Sequence, residues 1–251
     1  EQIEDFGDKE YILERITKEL NIQFNTRKQL LLKTLYAYIA NSSALDDLDC
    51  FSMFGTNSFN LVWEKVCAEV LDNQLQRPIG GLRLPVQLAG QYREMRHRKL
   101  IDLIEKPEWC GFAPSGEPFS KRAEDTLIPD LISIVDVHGD YQFIIFDAKY
   151  YNLQLQYNKV LRGHPGIESI TKQYLYQLAY QPFVDAHQIG TVRNCFLMPT
   201  AASAIISKGS VSMSMLENLG LQPIQVRLLP ADLMYRHYLE NTKLDILKLN
   251  L

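Results

Sequence analysis

Apolar positions recur at helical spacing over the first part of the chain and at strand spacing through its middle. Tyr11-Ile12, Ile16 and Leu20 fall on one helical face, and a second helical run covers residues 26–39 before Asn41-Ser42-Ser43 ends it. A polar stretch, Asp46-Asp47-Leu48-Asp49, leads to Phe54-Gly55-Thr56-Asn57-Ser58, which offers several helix-capping residues. The next helix carries the clearest stripe: Phe59, Val62, Trp63, Val66, Cys67 and Val70 share the spacing of one buried face, with Glu64 at its edge. Pro78, Gly80, Gly81 and Pro85 then break regular structure, which predicts a connection over residues 77–85.

Residues 126–152, TLIPDLISIVDVHGDYQFIIFDAKYYN, place two β-rich runs on either side of the turn signal His138-Gly139-Asp140 and predict a hairpin. Helical spacing returns over residues 167–180, behind Pro165 and Gly166, which suit a helix start. Residues 193–198 and 224–229 read as further strands, and residues 230–239 as a last amphipathic helix. This order predicts an α/β (or α+β) fold with a mixed central sheet flanked by helices and a helical N-terminal part. We expect a helical segment over residues 1–50 and a core over residues 51–251.

Strand geometry makes the hairpin informative. Asp147 and Lys149 are two residues apart, so they project from one face, with Ala148 facing away. With a His138-Gly139 loop, Val137 pairs with Asp140 and Asp130 stands opposite Asp147. With a Gly139-Asp140 loop, Asp130 pairs with Lys149 instead. Either even-length loop gathers Asp130, Asp147 and Lys149 on one face, whereas an odd-length loop without a bulge sends Asp130 to the other side. Ile132, Ile134, Phe143 and Ile145 share the trio's face; Leu131, Val135, Ile144 and Phe146 occupy the opposite one. Both faces are apolar, the mark of a strand pair covered on both sides.

Two carboxylates and an ammonium at the end of such a pair are costly unless paired, hydrated or metal-bound. A structural Asp–Lys salt bridge is the bland alternative. The chemical one is phosphodiester hydrolysis, which needs an activated water and neutralisation of charge growing on the phosphate. Magnesium serves both needs, prefers oxygen ligands and keeps several waters, so a pair of carboxylates suffices to hold it. Asp130 and Asp147 are the expected ligands, joined by Glu64 from the N-terminal helix. Lys149 would orient the attacking water or stabilise the phosphate. Gln173 and Gln177, one helical turn apart on a face that Tyr176 and Tyr180 partly join, offer amides for the same task. His164-Pro165-Gly166 and Lys172 are candidate DNA-backbone contacts.

Composition sets bounds on this reading. The 251 residues, 46% hydrophobic, fit one large domain or two small ones. A net charge of −4 argues against coating nucleic acid through bulk electrostatics. A nuclease needs only a local basic surface, and Arg93, Arg96, Arg98 and Lys99 supply one, although a solvated helix face would look the same. Cys50, Cys67, Cys110 and Cys195 form no C-x-x-C pair and read as reduced thiols. No run approaches the roughly 18 apolar residues of a membrane span, and the start shows no signal-peptide pattern. A cytoplasmic protein without a membrane partner is expected, and an initial Glu in place of Met points to a longer or processed polypeptide.

Pro129-Asp130 with Asp147-Ala148-Lys149 resembles the PD-(D/E)xK nuclease signature. The flanking segments Phe146-Asp147-Ala148-Lys149-Tyr150-Tyr151-Asn152, Gly163-His164-Pro165-Gly166-Ile167 and residues 172–180, with the Trp63-Glu64 helix, resemble LlaJI-type restriction endonucleases over residues 54–198. The resemblance implies a PD-(D/E)xK core, Mg²⁺ as cofactor with Mn²⁺ able to substitute, and restriction of foreign double-stranded DNA such as phage genomes. It places catalytic roles on Glu64, Asp130, Asp147 and Lys149, and on Gln173 or Gln177, the register of the glutamine motif being open. The group is similar to McrC nuclease subunits, which implies an McrB-like AAA+ GTPase partner, since the chain has no phosphate-binding loop of its own. Cutting both strands needs two active sites, which a homodimer can provide, or two binding events. The alternatives are a nuclease of this fold acting on transposon or recombination intermediates, and a non-cutting DNA-binding or assembly subunit.

Overall fold

The computed structural model describes residues 7–22, 26–45 and 58–251. The chain divides into two compact units, Glu1–Thr56 and Asn57–Leu251. The first holds helices α1 (Lys9–Ile22) and α2 (Thr26–Leu45), the latter continuing past the stop expected at Asn41-Ser42-Ser43. Ile16 and Ile39 are buried here, and the Lys9 ammonium donates to the Ala40 carbonyl at 2.9 Å. The polar stretch 46–49, the capping candidates 54–57, Cys50 and the expected boundary after residue 50 lie outside the described residues.

The second unit begins with α3 (Phe59–Val70), then β1 (Glu108–Phe112), β2 (Pro118–Arg122), β3 (Leu131–Val137) and β4 (Asp140–Ala148). It continues with α4 (Ile167–Ala186), β5 (Thr191–Thr200), β6 (Ile206–Val211), the single turn α5 (Ser214–Glu217), β7 (Ile224–Pro230) and α6 (Ala231–Leu239). Strands β3-β4-β5-β7-β6 form a five-stranded mixed sheet, parallel at its centre and antiparallel at both edges. Strands β1 and β2 form a separate antiparallel ribbon.

Apolar side chains on both sheet faces dictate the layers. On one, Leu131, Ile144, Phe146 and Ala148 pack with Trp63, Val66, Cys67 and Val70 of α3 and Met234 of α6. On the other, Ile132, Ile134, Phe143 and Ile145 pack with Tyr176, Tyr180 and Phe183 of α4. The two-faced reading of the hairpin is therefore observed. Only the later part of the α3 stripe is buried: Phe59 is 48% and Val62 37% exposed, and Phe59 stacks on Tyr150 with ring centroids 6.0 Å apart.

Helix α4 runs a turn and a half beyond the expected residue 180, through Pro182. Proline removes one helical hydrogen bond, yet Phe183 and Val184 just after it are buried against the sheet, and that packing holds the helix together. The basic stretch around Arg93–Lys99 is not a helix face but short 3₁₀ turns and bends. It is tied to the strap before it by bonds from Ile79 N–H to the Arg98 carbonyl and from Gly80 N–H to the Arg96 carbonyl, 2.8 and 2.9 Å. A Cβ at Gly80 would lie 2.9 Å from that Arg96 oxygen, so the approach requires glycine. Cys67 and Cys195 are buried free thiols, and burial pushes the Cys195 thiol up to about 12. Among the described residues no helix is long and apolar enough to cross a membrane.

Trp63 is fully buried and its indole N–H donates to the Leu197 carbonyl at 3.0 Å. Replacing it leaves a large cavity and removes one of the two hydrogen bonds to the Leu197 carbonyl, so Trp63→Ala is expected to cost about 3–5 kcal/mol of unfolding free energy. Urea denaturation of the variant beside wild type measures this; a loss under about 1 kcal/mol would mean that α3 is not an integral part of the core.

Candidate active site

The hairpin closes through His138 and Gly139, and Val137 pairs with Asp140. From there the ladder runs back to Leu131 opposite Phe146, so Asp130 stands one step further, level with Asp147. Of the two registers open in the sequence, the structure adopts the one that sets carboxylate against carboxylate. Asp147 remains in the sheet, level with Phe196 of β5, and the Lys149 N–H donates to the Leu197 carbonyl at 2.8 Å, just past the strand end.

Each member has a distinct anchor. Asp130 Oδ2 accepts the Ala148 N–H at 2.8 Å, and its own carbonyl accepts the Asn73 amide at 3.2 Å. Asn73 Oδ1 in turn accepts the N–H groups of Leu75 and Ile132. Asp147 is only 5% exposed, and its Oδ1 lies 2.9 Å from the Lys149 ammonium. Burial above all, then the charge of Asp130 and a hydrogen bond shared with it, pushes the Asp147 carboxyl up to about 8 against the pull of Lys149. At Lys149 burial opposes the charge, but Asp147, Asp130 and Glu64 outweigh it and hold the ammonium above its usual range.

Glu64 comes from α3, close enough to feel both neighbours. Burial and the Asp130 charge raise its carboxyl, partly offset by Lys149 and a bond with Asn60. Among the described residues no three His, Cys, Asp or Glu side chains converge into a ready-made metal cage. What the site offers is two carboxylates pressed together on paired strands with a third nearby. An all-oxygen donor set of this kind suits magnesium, which takes one or two carboxylates and fills its remaining positions with water and substrate oxygens. Two carboxyl groups close enough for each to disfavour the other's charge are consistent with that fit.

The two glutamines stand elsewhere. Gln173 is fully buried, its amide donating to the Ile145 carbonyl at 2.7 Å, two residues before Asp147, while its Oε1 has no partner. Gln177 Oε1 accepts from Asn194 and from the Gln222 N–H. Neither hydrogen-bonds to the trio. The α4 side chain that senses the carboxylates is Tyr176: burial first, then Asp147 and Asp130, raises its hydroxyl, which donates to the Ile128 carbonyl at 2.9 Å. Asn73 and Tyr176 are the neighbours that sequence alone did not assign to the site. Lys172 is ion-paired with Glu168 at 2.6 Å, and the His164 ring lies 2.8 Å from the Pro165 carbonyl.

Comparison with known proteins gives the arrangement a context. A family model described as LlaJI restriction endonuclease matches residues 1–83 and 94–231. The chain is 30% identical over 229 residues to the Type II restriction enzyme BsuMI component YdjA of Bacillus subtilis (strain 168). That alignment covers 90% of this chain and 42% of the relative, so the chain spans less than half the length of the curated protein it matches. No solved structure matches.

The carboxyl pair makes stability pH-dependent in a definite direction. Folding lifts Asp147 from 3.8 to about 8, so the folded state holds that proton more tightly than the unfolded one. The resulting stability is complete below the unfolded value and is lost as pH rises towards 8. Asp147→Asn cannot titrate. Without divalent metal, its melting temperature should therefore gain on wild type as pH rises from about 4 to about 8 and level off above. Thermal melts in EDTA across that range decide it, and a constant difference would place the carboxyl in the ordinary range.

Proposed function

This chain belongs to the LlaJI restriction endonuclease family, and from that premise we propose that it is the metal-dependent, DNA-cutting part of a bacterial restriction system, with a PD-(D/E)xK core. The observation that carries the reading is the strand register that sets Asp130 level with Asp147 while Lys149 pairs with Asp147 at 2.9 Å. A purely structural salt bridge needs one carboxylate; here a second is brought to the same place, although each raises the cost of burying the other.

The residues divide the work. Asp130 and Asp147 present the carboxylate oxygens that would hold magnesium, with Glu64 near enough for its charge to act on the same site. A bound ion supplies Lewis-acid polarisation of the scissile phosphate and a more acidic water. Lys149, anchored through its backbone and Asp147, offers a compact positive charge where negative charge grows on the phosphate. Its ion pair fixes the ammonium before substrate arrives, so little reorganisation remains at the moment of reaction. Gln173 braces strand β4 from beneath through the Ile145 carbonyl, and in this reading it positions Asp147 without touching substrate.

The relative is named a component of a restriction enzyme, which supports a division of labour among subunits. We assign this chain the cutting role and, by its likeness to McrC-type subunits, an McrB-like AAA+ GTPase as the partner that delivers double-stranded DNA.

The test is plasmid cleavage by wild type, Asp147→Ala and Lys149→Ala with Mg²⁺, Mn²⁺ or EDTA, alone and with a GTPase subunit encoded beside it. Metal-dependent cutting should fall at least about 100-fold in both variants. Both variants should still unfold in one cooperative transition in EDTA, Asp147→Ala carrying the same pH-dependent offset from wild type as Asp147→Asn. Equal cutting by wild type and Asp147→Ala would reveal a contaminant and sink the assignment. Tight DNA binding without cutting under every metal and partner condition would leave a binding or assembly subunit.

A further inference from the structure

Away from the carboxylates, a cleft of about 760 Å³ opens between the strap after Ile79 and the basic stretch around Arg96. Arg83, Arg93 and Arg96 line it together with Tyr141, and no Asp or Glu does. Sequence shows only part of this cluster, since Arg83 lies ten positions before Arg93. None of the three forms an ion pair among the described residues. Arg93 uses its Nε on the Leu88 carbonyl at 2.8 Å, which leaves its terminal nitrogens available. Arg83 also borders a neighbouring cleft that contains Asp72, Asp136 and Asp245. Of these Asp72 is paired with Arg77, and none of the three forms an ion pair with Arg83 among the described residues.

The walls are braced. Beyond the Ile79 and Gly80 bonds to the basic stretch, the Ala89 N–H donates to His187 Nε2 at 3.2 Å, and Tyr92 packs edge-on against Phe183 with centroids 5.3 Å apart. Three exposed arginines bordering one cleft make it locally positive, which favours an anionic ligand. Arginine forks match the paired oxygens of a phosphate.

Tyr141 shares its β4 face with Asp147, six residues away. At about 3.3 Å per residue the two positions lie ~20 Å apart, with Tyr176, Tyr180 and Phe183 of α4 covering the face between them, so the cleft is a surface separate from the carboxylates. We propose that the Arg83–Arg93–Arg96 cleft grips backbone phosphates of duplex DNA outside the scissile step. The proposal rests on the nuclease reading for its ligand, and it gives the chain a sequence-independent hold on DNA distinct from the cutting site.

Counterion release supplies the test. Affinity for a fluorescent duplex several turns long is measured by anisotropy in EDTA across a salt series, for wild type, Arg83→Ala/Arg96→Ala and the control pair Lys121→Ala/Arg122→Ala. Both target side chains are exposed and neither anchors the strap, so the double variant should melt with wild type; Arg96→Gln alone serves if it does not. Each lost phosphate contact lowers the slope of log affinity against log salt by about 0.9. The double variant should therefore lose about 2 units of slope, Arg96→Gln about 1, and the control pair little. An unchanged slope in the cleft variants, or an equal loss in the control pair, overturns the proposal. So does an unchanged DNA slope combined with loss of competing inorganic phosphate or GTP binding, which would make the cleft a small-phosphate site. Cutting is not read in EDTA, so a failed slope test leaves the nuclease assignment standing, and a failed cleavage test leaves the slope result standing.

Discussion

The pairing of Val137 with Asp140 across a two-residue turn fixes which face of the sheet every charged group of the site occupies. His138 and Gly139 both take positive φ, 56° and 92°, the backbone of a tight hairpin turn whose twist matches that of its strands. Glycine adopts this freely, and histidine is among the residues that tolerate it better than most. Because side chains alternate, a shift of one residue would carry Asp130 to the face where Trp63 and Val66 pack. It would also swap Ile132 and Ser133 between the two packed faces and break the bond from the Ser133 hydroxyl to the Leu71 carbonyl, so the core and the site enforce the same register.

The core that stabilises this register is what makes the site electrostatically tense. Asp147 follows a run of four fully or almost fully buried residues, Phe143 to Phe146, and emerges into water only at its tip. Three carboxylates then surround a single ammonium. The fold tempers the imbalance with local partners, the Ala148 N–H on Asp130 and Lys149 on Asp147, and with a proton held near neutral pH. A group that gives up a proton to accept a cation links metal affinity to pH. Under the proposed function, this electrostatic tension would be relieved by a divalent ion held between the carboxylates.

The elements that sequence made legible are those with strong periodicity. Helix α3, the β3–β4 hairpin, β5, β7 and α6 each carry a stripe or an alternation that burial enforces, and the trio followed from counting along one hairpin. Strands β1 and β2 escaped because their ribbon is exposed almost throughout, with Trp109 and Phe112 in solvent, so no face is selected. Strand β6 escaped because a register irregularity between Ser207 and Gly209 interrupts it. On α4 the spacing of Gln173, Tyr176 and Gln177 could not say which side chain looks towards the carboxylates, since all three are buried. Only the packing angle against the sheet distinguishes them. Asn73 was invisible for a different reason: it acts through backbone groups of Leu75, Asp130 and Ile132, which a sequence pattern does not record.

One carbonyl ties the remaining pieces together. Leu197 O on β5 accepts both the Lys149 N–H and the Trp63 indole N–H, using the two lone pairs a carbonyl offers. The strand end that bears the ammonium and the helix that bears Glu64 are thereby referenced to the same atom. Glu64 is adjacent to Trp63, so a slide of α3 along the sheet must break the indole bond before the carboxylate can leave the pair. The third carboxylate therefore stays where Asp130 and Lys149 feel its charge, while no closed cage forms among the described residues. An open arrangement of this kind would leave coordination positions for water and phosphate oxygens, which the proposed hydrolysis of a phosphodiester requires.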